Sequence, residues 1–153
     1  MTANPLKGAK LFVDPDPASA SYLYLYTTSA GATFPYSYID SGTNGLFFHD
    51  TLIAQGCQGS GGASSGGWYC PATTLQRSAT ISDAIGGAAT LSFDIANADT
   101  LFSTAGSAYA DLGGDITAAP QTFVWGMPFF FGRSVYSSIW GQVLSENGPW
   151  NAF

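Results

Sequence analysis

The chain has 153 residues, enough for one domain with a substantial core. Hydrophobic residues make up 46% and aromatic residues 15%, which excludes an intrinsically disordered chain. Charged residues are only 9%, and four Lys and Arg against ten Asp and Glu leave a net charge of −6. That balance excludes a nucleic-acid-binding surface, and no apolar stretch approaches the ~20 residues of a membrane-spanning helix.

With so few charges, the surface must be built from Ser, Thr, Asn, Gln, Gly and main chain. Such a surface suits secreted, periplasmic or cell-surface proteins better than cytosolic enzymes. Helix formers are scarce, with one Glu and two Lys, whereas there are 11 Phe, 8 Tyr and 4 Trp. These propensities predict an all-β domain spanning residues 1–153. Met1–Lys10 contains a proline and two lysines but no apolar core, so it does not read as a signal peptide. The expectation is an engineered start or a piece of a longer secreted precursor.

In chain order, residues 9–13 form a strand candidate stopped by Asp14-Pro15-Asp16-Pro17. Residues 21–28 alternate, with Tyr22, Tyr24 and Tyr26 on one face and Leu23 and Leu25 on the other. A turn at Ser29-Ala30-Gly31 leads into a second strand over 34–39. Residues 45–48 read as a short buried strand, and the Gly/Ser tract at 59–67 as a surface loop. Residues 90–96 alternate again, with Leu91, Phe93 and Ile95 inward. Residues 97–102 read as one helical turn capped by Asn97 or Asp99. Further strands are expected over 107–112, 122–125, 129–131 and 135–142.

Cys57 and Cys70 flank the Gly/Ser tract without the C-x-x-C spacing of zinc and redox sites. A disulfide closing the loop is the more economical reading, with two free cytosolic thiols as the alternative.

Most catalytic templates fail on inventory. The single histidine, His49, has no metal-ligand neighbours at suitable spacing, so no metal and no cofactor are expected. His49-Asp50 resembles half of a serine triad, but no G-x-S-x-G is present, and a structural or solvent-facing role is expected for His49. Nine Asp and one Glu allow a carboxylate pair without marking one. No phosphate-binding loop is present.

Asp40-Ser41-Gly42-Thr43 has a physical logic of its own. The strand ending at Ile39 fixes the carboxylate, and Gly42 lets the main chain turn so that N–H groups reach it. Such donors favour the ionised form. An isolated D-S-G is also an ordinary turn. Its context resembles the pepsin-like aspartic peptidases, whose lobes carry an apolar strand, D-[ST]-G-[ST] and a short apolar segment. A later hydrophobic–hydrophobic–Gly element threads beside the active loop. Residues 38–46 match the first pattern, and Val124-Trp125-Gly126 matches the second. Residues 129–136 are similar to the apolar-Arg-x-x-Tyr segment that ends the C-terminal pepsin lobe.

A resemblance over most of the chain is to the C-terminal half of an uncharacterised family of secreted bacterial proteins. It rests on Asp40–Phe48, Tyr69-Cys70-Pro71, Asn97–Phe102, Trp125–Arg133 and Gly148–Phe153, in that order. Longer members carry another D-[ST]-G in their first half.

These resemblances imply a single pepsin- or retropepsin-type lobe with a ψ-like strand crossing. Asp40 would be the catalytic carboxylate, and Ser41, Gly42, Thr43, Trp125 and Gly126 would support its loop. One chain supplies one D-S-G, while the chemistry needs two carboxylates sharing a proton. Asp83, Asp94, Asp99, Asp111 and Asp115 have no Ser/Thr-Gly after them. The partner is therefore a second copy or a separate N-terminal lobe with its own D-[ST]-G, and a polypeptide is the implied substrate. No flap tyrosine is identified, since a stripe such as Tyr22, Tyr24 and Tyr26 more often packs. The alternative is a non-catalytic secreted β module that binds a partner or self-assembles at the cell surface.

Overall fold

A computed structural model describes residues 9–13, 24–57, 67–137 and 150–153. The Asp-Pro run at 14–17, Tyr22 and Leu23, the Gly/Ser tract before Gly67, and Gly148-Pro149 lie outside the described residues. Within them the protein is all-β apart from one five-residue helix and one 3₁₀ turn.

A seven-stranded sheet holds seven of the ten strands among the described residues. β2 (Leu25–Ser29) and β3 (Ala32–Ile39) form a hairpin, and β2 also pairs antiparallel with β5 (Leu75–Ser82). The hairpin turns on Ala30 and Gly31, both at positive φ (49° and 82°), as a two-residue turn with the twist of its strands requires. β5 pairs along its whole length with β6 (Ala88–Ile95). Along β2 the burial alternates: Leu25, Thr27 and Ser29 point inward, while Tyr24 and Tyr26 are exposed. Tyr24 and Tyr26 therefore face solvent, opposite the inward Leu25 and Thr27.

At the other end of the sheet the order is β3, β8 (Val124–Trp125), β4 (Leu46–Phe47) and β7 (Gly113–Gly114). β8 runs parallel to β3 and antiparallel to β4. The chain thus leaves β3, makes the 40–45 loop and returns as β4, with β8 inserted between the two from far along the sequence. This is the ψ-like crossing expected from the two motifs.

The core is an aromatic stack on the inner face of this sheet. Phe48 lies flat on Phe123 at 4.6 Å, Phe123 on Trp125 at 4.3 Å, and Phe34 and Phe93 meet Phe123 edge-on. The buried Trp125 indole N–H donates to Thr27 Oγ1 at 2.9 Å, which ties β8 to β2 and leaves neither group unpaired. A second, three-stranded sheet orders β1 (Leu11–Val13), β10 (Trp150–Ala152) and β9 (Tyr136–Ser137). It joins the core through Phe153, which stacks on Phe12 and meets Phe129 edge-on.

Three local expectations are corrected. Residues 107–112 are turns and irregular chain, and only Gly113-Gly114 pairs with β4, where a side chain would meet Ile95 or Phe47. Met127–Phe130 is a 3₁₀ turn, with Pro128 in its first positions and the Phe129 ring packed on Trp125. β5 was not expected, since Arg77 interrupts its inward row of Leu75, Ala79 and Ile81. The helix over Ala98–Phe102 is present, with Asn97 Oδ1 accepting from the Thr100 N–H at 3.1 Å.

Candidate active site

Asp40 directly follows β3, where its main-chain N–H donates to the Trp125 carbonyl at 3.0 Å. The sheet ladder therefore fixes the backbone from which the carboxylate projects. Both carboxylate oxygens are engaged inside the loop. Oδ1 accepts from the Gly42 N–H at 2.8 Å, and Oδ2 accepts from the Thr43 hydroxyl at 2.6 Å. The Thr43 N–H reaches the Asp40 carbonyl at 3.3 Å. The half-buried carboxylate is oriented without any cation within ion-pair distance among the described residues.

Gly126 follows β8 and presses against this loop. A Cβ there would overlap the Gly45 carbonyl and come within 2.6 Å of the Thr43 carbonyl. Its φ of −80° is open to any residue, so close approach is what requires glycine. Trp125 supports the loop from beneath, 1% exposed. Ser41 and Gly42 are exposed at the tip. The structure thus brings Asp40, Gly42, Thr43, Trp125 and Gly126 together, with Ser41 facing outward.

Tyr38, two residues before Asp40 on the same strand, belongs to the same neighbourhood. Burial, then the Asp40 carboxylate, then Tyr24, raise its hydroxyl pKa above the ordinary 10.0. The Tyr24 ring lies 5.6 Å from Tyr36 and 6.4 Å from Tyr38, so an exposed tyrosine face runs up to Asp40. Burial along β3 does not alternate strictly, since the register of the β2–β3 pairing slips between Phe34 and Ser37, so no simple period in the sequence marks this face.

Cys57 and Cys70 form a disulfide with a Cα–Cα distance of 5.6 Å. It sits beside the antiparallel bridge Gln55–Tyr69. Neither cysteine takes part in the Asp40 hydrogen bonds, and the disulfide serves as a staple.

His49 is paired with Asp115 rather than Asp50: Nδ1 and Oδ1 are 2.7 Å apart, and the Asp115 side chain is fully buried. Asp115 also accepts from the Thr117 hydroxyl, while Asp50 Oδ1 caps its own turn by accepting from the Leu52 N–H. No spacing in the sequence marks a pair 66 residues apart. The neighbouring Tyr69 donates to the Phe48 carbonyl and accepts from the Asp50 N–H. Burial, and then the Asp115 charge, push its hydroxyl far above the ordinary range.

A loop that holds a lone carboxylate, with both oxygens hydrogen-bonded and a strand threaded beside it, can position an acid or base but cannot by itself share a proton between two carboxylates. Residues 8–153 match the model of the family described as a protein of unknown function, DUF3443, and the chain belongs to that family. No curated protein and no solved structure matches the chain.

Proposed function

We propose that this chain is one half of an aspartic endopeptidase, in which Asp40 forms a dyad with a carboxylate from a second copy or a separate lobe. The observation that carries the reading is the Asp40 loop itself: its two flanking strands straddle β8, and Gly126 packs against its carbonyls. The Gly42 N–H and Thr43 hydroxyl hold the carboxylate, as a group that must meet a partner in fixed geometry requires. In the assembled pair, two carboxylates about 3 Å apart share one proton. The ionised one takes a proton from water as that water adds to the peptide carbonyl. The other gives its proton to the carbonyl oxygen; the first then protonates the departing nitrogen while the second takes back the diol proton, so collapse releases amine and acid and restores the dyad.

The test is cleavage of an unfolded protein substrate between about pH 3 and 5, with pepstatin as inhibitor. Activity is expected to rise faster than linearly with dilute enzyme if two copies pair, or to need an added N-terminal lobe if they do not. Asp40→Asn should abolish it with the fold retained. Activity strictly proportional to concentration down to the monomer would refute the shared dyad.

The second reading is a non-catalytic module that binds a partner or assembles at the cell surface. It is favoured by the exposed Tyr24, Tyr26 and Tyr36, an aromatic surface that a monomer has no need of. Self-association that survives Asp40→Asn, with no cleavage at any concentration, would select it.

A further inference from the structure

A cavity of about 300 Å³ lies between β6, the segment at 110–111 and the turn after β8. It is at the lower end of the size range of small-molecule sites. Its apolar wall is made by Phe93, Trp125, Phe129 and Phe131. Phe131 is 46% exposed, a large ring left open at the rim. Three charged residues line the same cavity: Arg133, Asp94 and Asp111.

These charges do not neutralise one another. Among the described residues, no carboxylate is within ion-pair distance of the Arg133 guanidinium, and no cation is within that distance of Asp94 or Asp111. Arg133 is nevertheless half-buried, stacked 4.6 Å over the Phe129 ring. Burial works against its charge and lowers its pKa. The ring face offsets part of that loss but offers no hydrogen-bond acceptor for the guanidinium fork.

A cavity with separated charges of both signs and an aromatic wall is complementary to a molecule that has the same three features. We propose that this cavity binds a small zwitterion with an apolar body, either a free amino acid or a dipeptide. Its carboxylate meets Arg133 in a two-pronged contact, its ammonium faces Asp94 and Asp111, and its side chain lies against the open ring of Phe131. A simple anion is disfavoured by the two aspartates, and a simple cation by the arginine. The proposal does not depend on the reading of Asp40.

The experiment is titration calorimetry on the whole chain at neutral pH with L-phenylalanine and with the dipeptide Leu-Phe, up to about 10 mM. Saturable binding of one or both is expected, and which of them binds more tightly identifies the source. N-acetylphenylalanine, which lacks the ammonium, and phenylalaninamide, which lacks the carboxylate, should each bind about tenfold more weakly or worse. Arg133→Gln should weaken phenylalanine about tenfold and leave the amide unchanged. Asp94→Asn with Asp111→Asn should show the converse, weakening phenylalanine and leaving the acetylated ligand unchanged. Circular dichroism checks that each variant is folded, and if Arg133→Gln is not, the four ligands on the unaltered chain still decide. No saturable heat with either zwitterion, or equal affinity for all four ligands, would overturn the proposal.

Discussion

The Met127 main-chain N–H donates to the Thr43 carbonyl at 2.6 Å, so the residue that follows Gly126 holds the loop that holds Asp40. Two segments more than 80 residues apart in sequence are joined main chain to main chain here. The close approach this needs is possible only because Gly126 has no side chain.

Replacing Gly126 with alanine should therefore be severe. The new methyl group meets the Gly45 and Thr43 carbonyls, which are main-chain atoms and cannot step aside. We expect a loss of about 3 kcal/mol or more in urea unfolding, the upper end for overpacking. The control is Gly31→Ala, where a Cβ meets nothing within 4 Å and only the positive φ of 82° opposes it. That change should cost about 1 kcal/mol. Equal effects at both positions would show that the strand crossing is looser than described.

The Thr43 hydroxyl offers a finer probe. Thr43→Val removes the donor to Asp40 Oδ2 while keeping the shape. It should lower stability by about 1 kcal/mol, modest because the pair is partly exposed. Thr43→Ser keeps the hydroxyl and should restore most of the loss. Under the proposed chemistry, Thr43→Val should also reduce cleavage far more than its stability effect explains, because the carboxylate loses one of its two anchors. A valine variant with full stability and full activity would remove Thr43 from the site.

Much of this centre was legible in the sequence, and the reasons are physical. Asp40-Ser41-Gly42-Thr43 and Val124-Trp125-Gly126 are short patterns in which each residue type has a local task, so they announce themselves. The hairpin at Ala30-Gly31 and the cap at Asn97 are read in the same way. β5 has no legible period because Arg77 breaks its alternation, and its pairing partner β6 supplies what its own pattern lacks. Three aromatics in a row predict a strand over 129–131, but Pro128 and the fit of Phe129 on Trp125 turn Met127–Phe130 into a 3₁₀ turn. The His49–Asp115 pair was invisible for a different reason: it depends on tertiary placement of two ordinary loop residues.

The disulfide should matter for stability and not for chemistry. Its cysteines are 13 residues apart, a loop whose closure is worth about 3 kcal/mol in the chain-entropy treatment. The double change Cys57→Ser and Cys70→Ser should lower stability by up to that amount, read from urea unfolding. A reductant should lower the parent protein to the level of the variant and leave the variant unaffected. If a reductant does not alter the parent, the staple adds nothing to the fold.

Alkaline pH should reveal Tyr69. Its hydroxyl is held well above the ordinary value of 10.0, first by burial and then by Asp115. The folded protein keeps this proton where the unfolded chain releases it. The stabilising contribution is thus complete below pH 10 and is lost progressively as pH climbs above it, at up to about 1.4 kcal/mol per pH unit. Tyr38, raised in the same direction, adds to the slope. Tyr69→Phe should flatten the decline above pH 10 while lowering stability near neutrality by about 1–3 kcal/mol, since the Asp50 N–H loses its acceptor. An unchanged alkaline slope in this variant would contradict the burial of its hydroxyl.

The position of β8 also sets a timetable. β3 and β4 are made early, but the strand that belongs between them emerges roughly 80 residues later in synthesis. Until Val124 and Trp125 arrive, both strands present open edges on that side, and the Asp40 loop has neither its floor nor its Met127 tether. Contacts this distant in sequence make folding slow, and unpaired edges invite pairing with other chains. The nascent protein is therefore exposed to association throughout the interval between β4 and β8, and the loop carrying Asp40 takes its final shape only once β8 is in place.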